Sequence, residues 1–325
     1  MEEKTILVTG IGGNVGQGII KNIRSLDYQF RIVGTNTLSM SSGNYLVDEF
    51  YQVPYSFDES NFLSSIRHIV EKEKVDLIIP STDYEMFVLS NAVFENVTIA
   101  TSGKKASSIY LDKYDSFLNH QLFDIPFAKS TLPSSYKGEY VNAIAKPRKG
   151  RGSRGLIFDF KNDVKLDDDE YLIQEMHKGR EITIAVYVSY LTNKLHGFIA
   201  MERELANGAT SYCKVVTEFD DEIRQMITKI VSSIDVKGSF NIQCIFSDSL
   251  NQLVPFEINC RISGTNSIRS SFGFNDASYI IDELLFLKPL NNIEIIQGSA
   301  YRALSDVIYL SHDLKGNNND NFKLF

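Results

Sequence analysis

Pro255-Phe256-Glu257-Ile258-Asn259-Cys260-Arg261-Ile262-Ser263-Gly264 alternates apolar and polar residues as a strand does. Side chains along a strand point to opposite faces in turn, so Glu257, Asn259 and Arg261 share one face. An inward row of carboxylate, amide and guanidinium has no apolar partner to justify its burial. Oxygen ligands of this kind suit Mg²⁺, which also takes waters and substrate phosphates. The stretch before it, Ser239–Ser247, reads as a neighbouring strand with Gln243 on a row with Asn241 and Ile245, where it can complete the shell. Taken alone, the row also reads as an exposed polar face with Glu–Arg pairing.

Upstream stands Ala145-Lys146-Pro147-Arg148-Lys149-Gly150-Arg151-Gly152-Ser153-Arg154-Gly155, a strand end followed by a basic, glycine-rich loop. Flexible backbone amides with five cationic side chains suit a polyphosphate, which demands donors and positive charge together. No GK[ST] opens a helix there, so it is not a Walker A loop. A solvated basic turn is the plain alternative.

Around these two features the chain divides in character. Thr5–Thr9, Phe30–Gly34, Val75–Pro80 and Val97–Ala100 are short apolar runs. They alternate with helical patterns at Val15–Ile23 and Ser60–Lys72, which predicts a doubly wound parallel sheet ending near Ser102-Gly103. Beyond it a helix is expected over Leu111–Leu122, with Asp112 as its N-cap. Short strands follow at 141–145, 155–160 and 171–176, then a hairpin of 181–190 and 195–201 turning at Thr192-Asn193. A helix at 221–233 and the strand pair 239–247 and 252–259 complete an antiparallel α+β region. The polar run Gly316–Asn321 reads as a disordered end.

The N-terminal Val8-Thr9-Gly10-Ile11-Gly12-Gly13-Asn14-Val15-Gly16 fits TGxxGxxG between strand and helix. Such a turn brings backbone N–H groups to a phosphate, and a nicotinamide-dependent oxidoreductase is one reading. An NAD enzyme needs an acid at the end of the second strand, yet that strand ends in Gly34-Thr35-Asn36-Thr37. The only YxxxK spacing, Tyr190 to Lys194, falls on the hairpin, off any shared helical face. Tight turning and close helix–strand packing would also explain the glycines.

Together and in order, the basic loop and the Glu-x-Asn-x-Arg row resemble the ATP-grasp superfamily, in its carbamoyl-phosphate-synthase-like branch of carboxylate–amine ligases. The resemblance covers nearly the whole chain. It implies α/β and α+β architecture: a doubly wound pre-ATP-grasp domain (1–103), a linker helix and small lobe (104–185), and a large lobe with a C-terminal tail (186–325). The family's D-K motif falls on Asp112-Lys113, and its K-P lysine and small-residue loop on Lys146, Lys149, Gly150, Gly152, Ser153 and Gly155. The adenine-holding hinge is similar to Gln174-Glu175-Met176-His177, and the ribose glutamate to Glu181. The metal positions are Gln243, Glu257 and Asn259, with Arg261 as the catalytic cation beside Lys146. Where the family has proline between Asn and Arg, this chain has Cys260, whose thiol would lie beside the site or be buried.

The resemblance implies ATP and Mg²⁺, a small carboxylate activated as an acyl phosphate, and an amine that takes the acyl group. It implies a homodimer as well. A nucleotide-binding regulatory protein of the same fold is the alternative within the family. Outside the motifs, Arg203 reads as a salt-bridged strand end and Arg269 as a substrate-carboxylate anchor. Asp83 and Glu85 read as solvated acids at a helix start, His177 as a hinge residue acting through its backbone, and Lys104 and Lys105 as surface charges.

Composition narrows the classes. Lys and Arg number 33 against 41 Asp and Glu, a net charge of −8, which argues against a general nucleic-acid or membrane-surface binder. With 43% hydrophobic and 23% charged residues over 325, several packed domains are expected rather than disorder. Cys213, Cys244 and Cys260 are unpaired by spacing and suit a reducing cytoplasm. The start MEEKTILVTG fits no signal peptide, and no apolar run nears the roughly 20 residues of a membrane span.

Overall fold

The computed structural model describes residues 3–150, 154–161, 164–303, 305–309 and 322–324. Five parallel strands open the chain: β1 (Lys4–Val8), β2 (Phe30–Asn36), β3 (Glu49–Gln52), β4 (Leu77–Ile79) and β5 (Thr98–Ile99). Their order is β3-β2-β1-β4-β5, with α1 (Asn14–Arg24), α2 (Glu59–Glu73) and α3 (Asp83–Asn91) as crossovers. The chain leaves β1 toward β2 and later returns to β4 on its other side. The carboxyl ends of β1 and β4 therefore flank the crevice where open α/β sheets hold ligands.

From the sequence no β3 is expected, and only the start of α3. β3 is a short edge strand, and α3 buries Glu85 as well as Met86, Val88 and Leu89, so no single apolar stripe marks it. The helix expected over 111–122 forms, and a second one that was not expected precedes it. α4 (Lys104–Leu111) ends at Asp112, whose extended backbone (φ −106°, ψ 120°) starts α5 (Lys113–Leu122). Asp112 does cap α5, accepting from the N–H groups of Tyr114 and Asp115 at 2.9 and 3.4 Å.

Four short antiparallel strands follow: β6 (Ser130–Thr131), β7 (Ala143–Pro147), β8 (Ile157–Phe158) and β9 (Tyr171–Glu175), in the order β6-β9-β7-β8. A larger antiparallel sheet takes β10 (Gly179–Val188), β11 (Leu195–Ala206), β12 (Ala209–Val216), β13 (Gly238–Ser247), β14 (Gln252–Asn259) and β15 (Ser299–Tyr301). Its order is β14-β13-β10-β11-β12-β15, with the expected hairpin joining β10 to β11. β16 (Val307–Tyr309) and β17 (Phe322–Leu324) form a separate pair. The expected disorder of Gly316–Asn321 lies outside the described residues.

The large sheet is covered on both faces. On one, α6 (Asp220–Ser233) sends Ile223, Ile227 and Ile230 against Ile184, Val186 and Cys260. On the other, Tyr187 and Met201 share a core with Ile6, Ile19 and Ile32 of the N-terminal region. Gly18 permits that junction: a Cβ there would stand 2.2 Å from Oδ1 of Asn266 in α7 (Asn266–Arg269). Asn22 seals it by donating to the Asn266 carbonyl at 3.2 Å. The N-terminal sheet is thus fixed against the large one, its strand ends facing β14. Among the described residues no helix is long and apolar enough to cross a membrane.

Cys260 is buried, 4% exposed, and burial pushes its thiol well up, so it is a core residue rather than an oxidation-prone thiol at the site.

Candidate active site

β14 is an edge strand, which is why Pro255 is tolerated in it. Opposite β13, Glu257 faces Gln243 and Asn259 faces Asn241, while Cys244 faces Pro255. Phe256 is therefore the extra residue of a bulge, a device that re-aims side chains beside functional sites. The polar row that results is hydrogen-bonded end to end. Asn259 Nδ2 donates to Glu257 Oε1 at 3.0 Å, and Gln243 Nε2 donates to Asn259 Oδ1 at 3.0 Å. Arg203 Nη2 donates to Gln243 Oε1 at 2.7 Å, and its Nε to Glu181 Oε1 at 2.9 Å. Burial pushes the Glu257 carboxyl up, but Lys113, the Asn259 amide, Lys146 and Arg261 together hold it below the usual carboxylate range.

Two lysines face this row from the other side. Lys113 is the first residue of α5, and its Nζ donates to the Gly150 carbonyl at 3.0 Å. Lys146 lies on β7, buried, with its ammonium 4.7 Å from the centre of the Phe256 ring and hydrogen-bonded to Gln174 Oε1. Burial in that setting brings Lys146 down to about 8. Asp112 is held in turn by Arg148, whose Nε donates to its carboxylate oxygens at 3.0 and 3.1 Å. The start of α5 and the end of β7 are thereby fixed together.

A cavity of about 330 Å³ lies between the small and large sheets. Lys113, Lys146, Gly150, Gln174, Glu175, Met176, His177, Glu181, Gln243 and Glu257 line it, so most of the expected nucleotide-site residues meet in one place. Apart from Arg154, its remaining walls, such as Ile144, Phe158, Ile245 and Val254, are apolar. A wider cavity of about 530 Å³ lies on the far side of the row, bounded by Gly10, Ser81, Asp83, Asn259 and Arg261. Gln243 and Glu257 line both, which makes the row the partition between two chambers. Among the described residues, the buried Arg261 Nε and Asn36 Nδ2 have no hydrogen-bond partner, and both residues line the wider chamber. A buried donor left unpaired costs about 1–3 kcal/mol.

Several expected roles are refined or corrected by this geometry. Gln243 accepts from the Arg203 guanidinium with its oxygen and donates to Asn259 with its nitrogen, so it also orients Asn259 within the row. Gln174 lines the first chamber as part of the 174–177 segment, and its side chain holds Lys146 and Ser130. Arg148 is committed to Asp112, so it is not one of five cations free for phosphate. Lys149 is exposed and lines neither chamber, whereas Arg154 lines both. Gly155 also stays off both linings; its left-handed backbone (φ +70°) packs against Pro147. Gly152 and Ser153 lie outside the described residues.

Arg269 is 1% exposed and bound to Asp276, Ser263 and Thr265, so it cannot anchor a substrate. Nor are Asp83 and Glu85 solvated acids. Glu85 is buried and accepts from Thr9 and Thr82, while Asp83 accepts from Arg261 Nη2 at 3.0 Å. Arg203 is salt-bridged as expected, but to Glu181, which ties it into the row. The sequence points to Asp83 and Arg203 but not to their place in the site. Their partners are distant along the chain, and no local pattern announces them.

Residues 111–265 match the family model of the ATP-grasp domain, and residues 6–101 that of the PylC-like N-terminal domain. The carbamoyl phosphate synthase large chain of Clostridium botulinum is 23% identical over an alignment of 376 residues, spanning 96% of this chain but only 34% of that protein. Among solved structures, N5-carboxyaminoimidazole synthetase from Staphylococcus aureus complexed with ADP superposes with a TM-score of 0.72 at 18% identity, covering 96% of this chain and 83% of the other. The biotin carboxylase β-γ-ATP complex from Campylobacter jejuni gives a TM-score of 0.70 at 13% identity, over 90% and 74% of the two chains. At these identities the structural likeness is one of fold.

Proposed function

We propose that this chain, which carries an ATP-grasp domain behind a PylC-like N-terminal domain, is an ATP-dependent ligase. It would activate a small carboxylate as an acyl phosphate and couple it to an amine. The observation that carries this reading is the shared wall. One polar row separates an apolar, lysine-ended chamber from a polar one bearing Arg261, so phosphoryl donor and acceptors can meet across it.

ATP occupies the first chamber, its base between Ile144, Phe158 and Val254 near the 174–177 hinge and its ribose toward Glu181. Lys113 and Lys146 hold the phosphates, and the glycine-rich loop closes over them to exclude water from a hydrolysable intermediate. Among the described residues no three His, Cys, Asp or Glu side chains gather to hold a metal by themselves. Glu257 and Asn259 nevertheless fit Mg²⁺: one oxygen is ionised, both keep lone pairs, and phosphates and waters supply the rest. When bound, Mg²⁺ neutralises charge on the phosphate oxygens.

In the first step a carboxylate oxygen attacks the terminal phosphorus, and the bond to the bridging oxygen breaks to leave ADP. In the second, the amine nitrogen attacks the acyl carbon and the carbon–oxygen bond to phosphate breaks. The proton shed by nitrogen goes to the departing phosphate. Arg261 stabilises charge on the transferring group and then on the tetrahedral intermediate. The division at about 103 and 185, a homodimer and a cytoplasmic setting are proposed with this reading, on the resemblance.

The deciding experiment is ADP release from the purified chain with Mg-ATP, screened against pooled carboxylates and amines, with Glu257→Ala alongside. Release that requires both pools and disappears in the variant is expected. Tight ATP binding with no release from any pool would instead make this a regulatory nucleotide binder.

Lys146 adds a pH dependence. With its ammonium at about 8 in the free protein, the charge that meets phosphate is lost as pH rises through that value. Affinity for a non-hydrolysable ATP analogue should fall about tenfold from pH 7 to pH 9. Lys146→Arg, which stays charged throughout, should flatten that curve; an equal fall in the variant would remove Lys146 as its cause.

A further inference from the structure

A third cavity, of about 190 Å³, opens on the same row. Four aromatic residues dominate its walls, Tyr55 and Phe57 from the segment between β3 and α2, Tyr84 from α3 and Tyr110 from α4, with Ser56, Leu111 and Asp83 beside them. The Tyr110 hydroxyl is hydrogen-bonded away to His120 Nε2 at 3.2 Å. At the mouth stand Lys113, Gly150, Glu257 and Asn259.

Tyr55 and Phe57 stack with ring centres 5.2 Å apart and planes 13° from parallel. Even so, Tyr55 is 49% and Phe57 75% exposed. A single exposed aromatic needs no explanation, but a stacked pair rimming a pocket beside a reactive row does. The segment that carries the pair is anchored at both ends. Val53 N–H donates to the Asn36 carbonyl at 2.9 Å, and Asp58 N–H to that of Tyr55 at 3.0 Å. Asp58 then caps α2. The rings are thus positioned before any ligand arrives, which lowers the ordering cost of binding.

We infer that this annex is the subsite for the apolar body of the donor, and that the donor is a carboxylate bearing an aromatic ring or an apolar group of similar size. The inference rests on the ligase reading above and gives it a substrate class. A dry cavity of about 150 Å³ accepts benzene, so this one takes a six-membered ring with a short linker. The donor is assigned here because of what the mouth contains. Lys113 and Gly150 belong to the phosphate end of the ATP chamber, and the wider polar chamber is lined by neither. A carboxylate reaching out of the annex meets the transferable phosphate, and the amine enters from the polar side, past Arg261, which lines that chamber and not the annex.

The test titrates 3-phenylpropanoate, acetate and glutarate into the full chain saturated with Mg²⁺ and a non-hydrolysable ATP analogue. 3-Phenylpropanoate should bind about tenfold or more tightly than either acid without a ring. Tyr55→Ala with Phe57→Ala should erase most of that preference and leave the affinity for the ATP analogue unchanged. Both side chains are exposed, so the double variant keeps its core. Equal binding of the three acids, or an unchanged preference in the variant, overturns the inference. So does ADP release that answers only to small polar carboxylates, although the ligase reading then stands. If the ATP analogue itself fails to bind, the ligase reading falls and the inference with it.

Discussion

Arg261→Ala is expected to remove ligation while ATP still binds. Arg261 lines the chamber on the far side of the row from the lysines, so it has no part in holding ATP in its ground state. Its Nη2 is paired with Asp83, its Nη1 reaches the Ile262 carbonyl at 3.3 Å, and its buried Nε is unpaired among the described residues. A guanidinium held in place with a spare donor is organised for charge that develops during reaction. Loss of one such donor costs about 3–4 kcal/mol, or roughly 10²–10³ in kcat. Arg261→Lys should recover little, because an ammonium lacks the planar fork that meets Asp83 and an oxyanion together. ADP release and the Kd of an ATP analogue, measured on the same preparations, separate the possibilities. A fall in ATP affinity with kcat preserved would move Arg261 to a ground-state role.

The second large effect is on stability. Arg269 and Asp276 form a fully buried ion pair at 2.7 Å, with Ser263, Thr265 and Ser239 completing their hydrogen bonds. Removing one member leaves the other charge without compensation, a loss of about 3–5 kcal/mol. Arg269→Met should therefore lower the urea midpoint markedly. Arg269→Met with Asp276→Leu should recover part of the loss, since a buried pair exchanged for apolar groups of similar volume is often neutral. A variant that kept its midpoint but lost carboxylate affinity would restore Arg269 as a substrate anchor.

These two arginines show where reading the sequence stopped. Arg261 closes the polar row and Arg269 follows eight residues later, and by sequence both are suited to meet an anion. Their difference lies in partners supplied from elsewhere: Asp83 reaches Arg261 from the N-terminal sheet, and Asp276 encloses Arg269 from α8 (Asp276–Leu284). The same holds for Arg203 and Gln243, whose contact crosses from β11 to β13 over the intervening β10. Local helix and strand periods carry no information about such pairs. α4 escaped for a smaller reason: Asp112 caps α5 as its type predicts, but nothing marks the start of Lys104–Leu111, where Gly103 makes no side-chain capping bond.

What the sequence determined by itself was the kind of chemistry and the order of its parts. Alternation along β14 is enough to put Glu257 and Asn259 on one face, because the strand period is two. Lys146 stands out at its strand end before the basic loop and Lys113 only through the resemblance to the D-K motif, and both are lining residues of the chamber where phosphate would lie. The aromatic annex belongs to tertiary structure alone. Tyr55 and Phe57 stand about two hundred residues before Glu257, on a segment with no motif. They reach the row only because the N-terminal sheet shares a core with the large one and turns its strand ends toward β14. A site made where two sheets meet is decided by how their faces pack, and each sheet's own sequence specifies only its half.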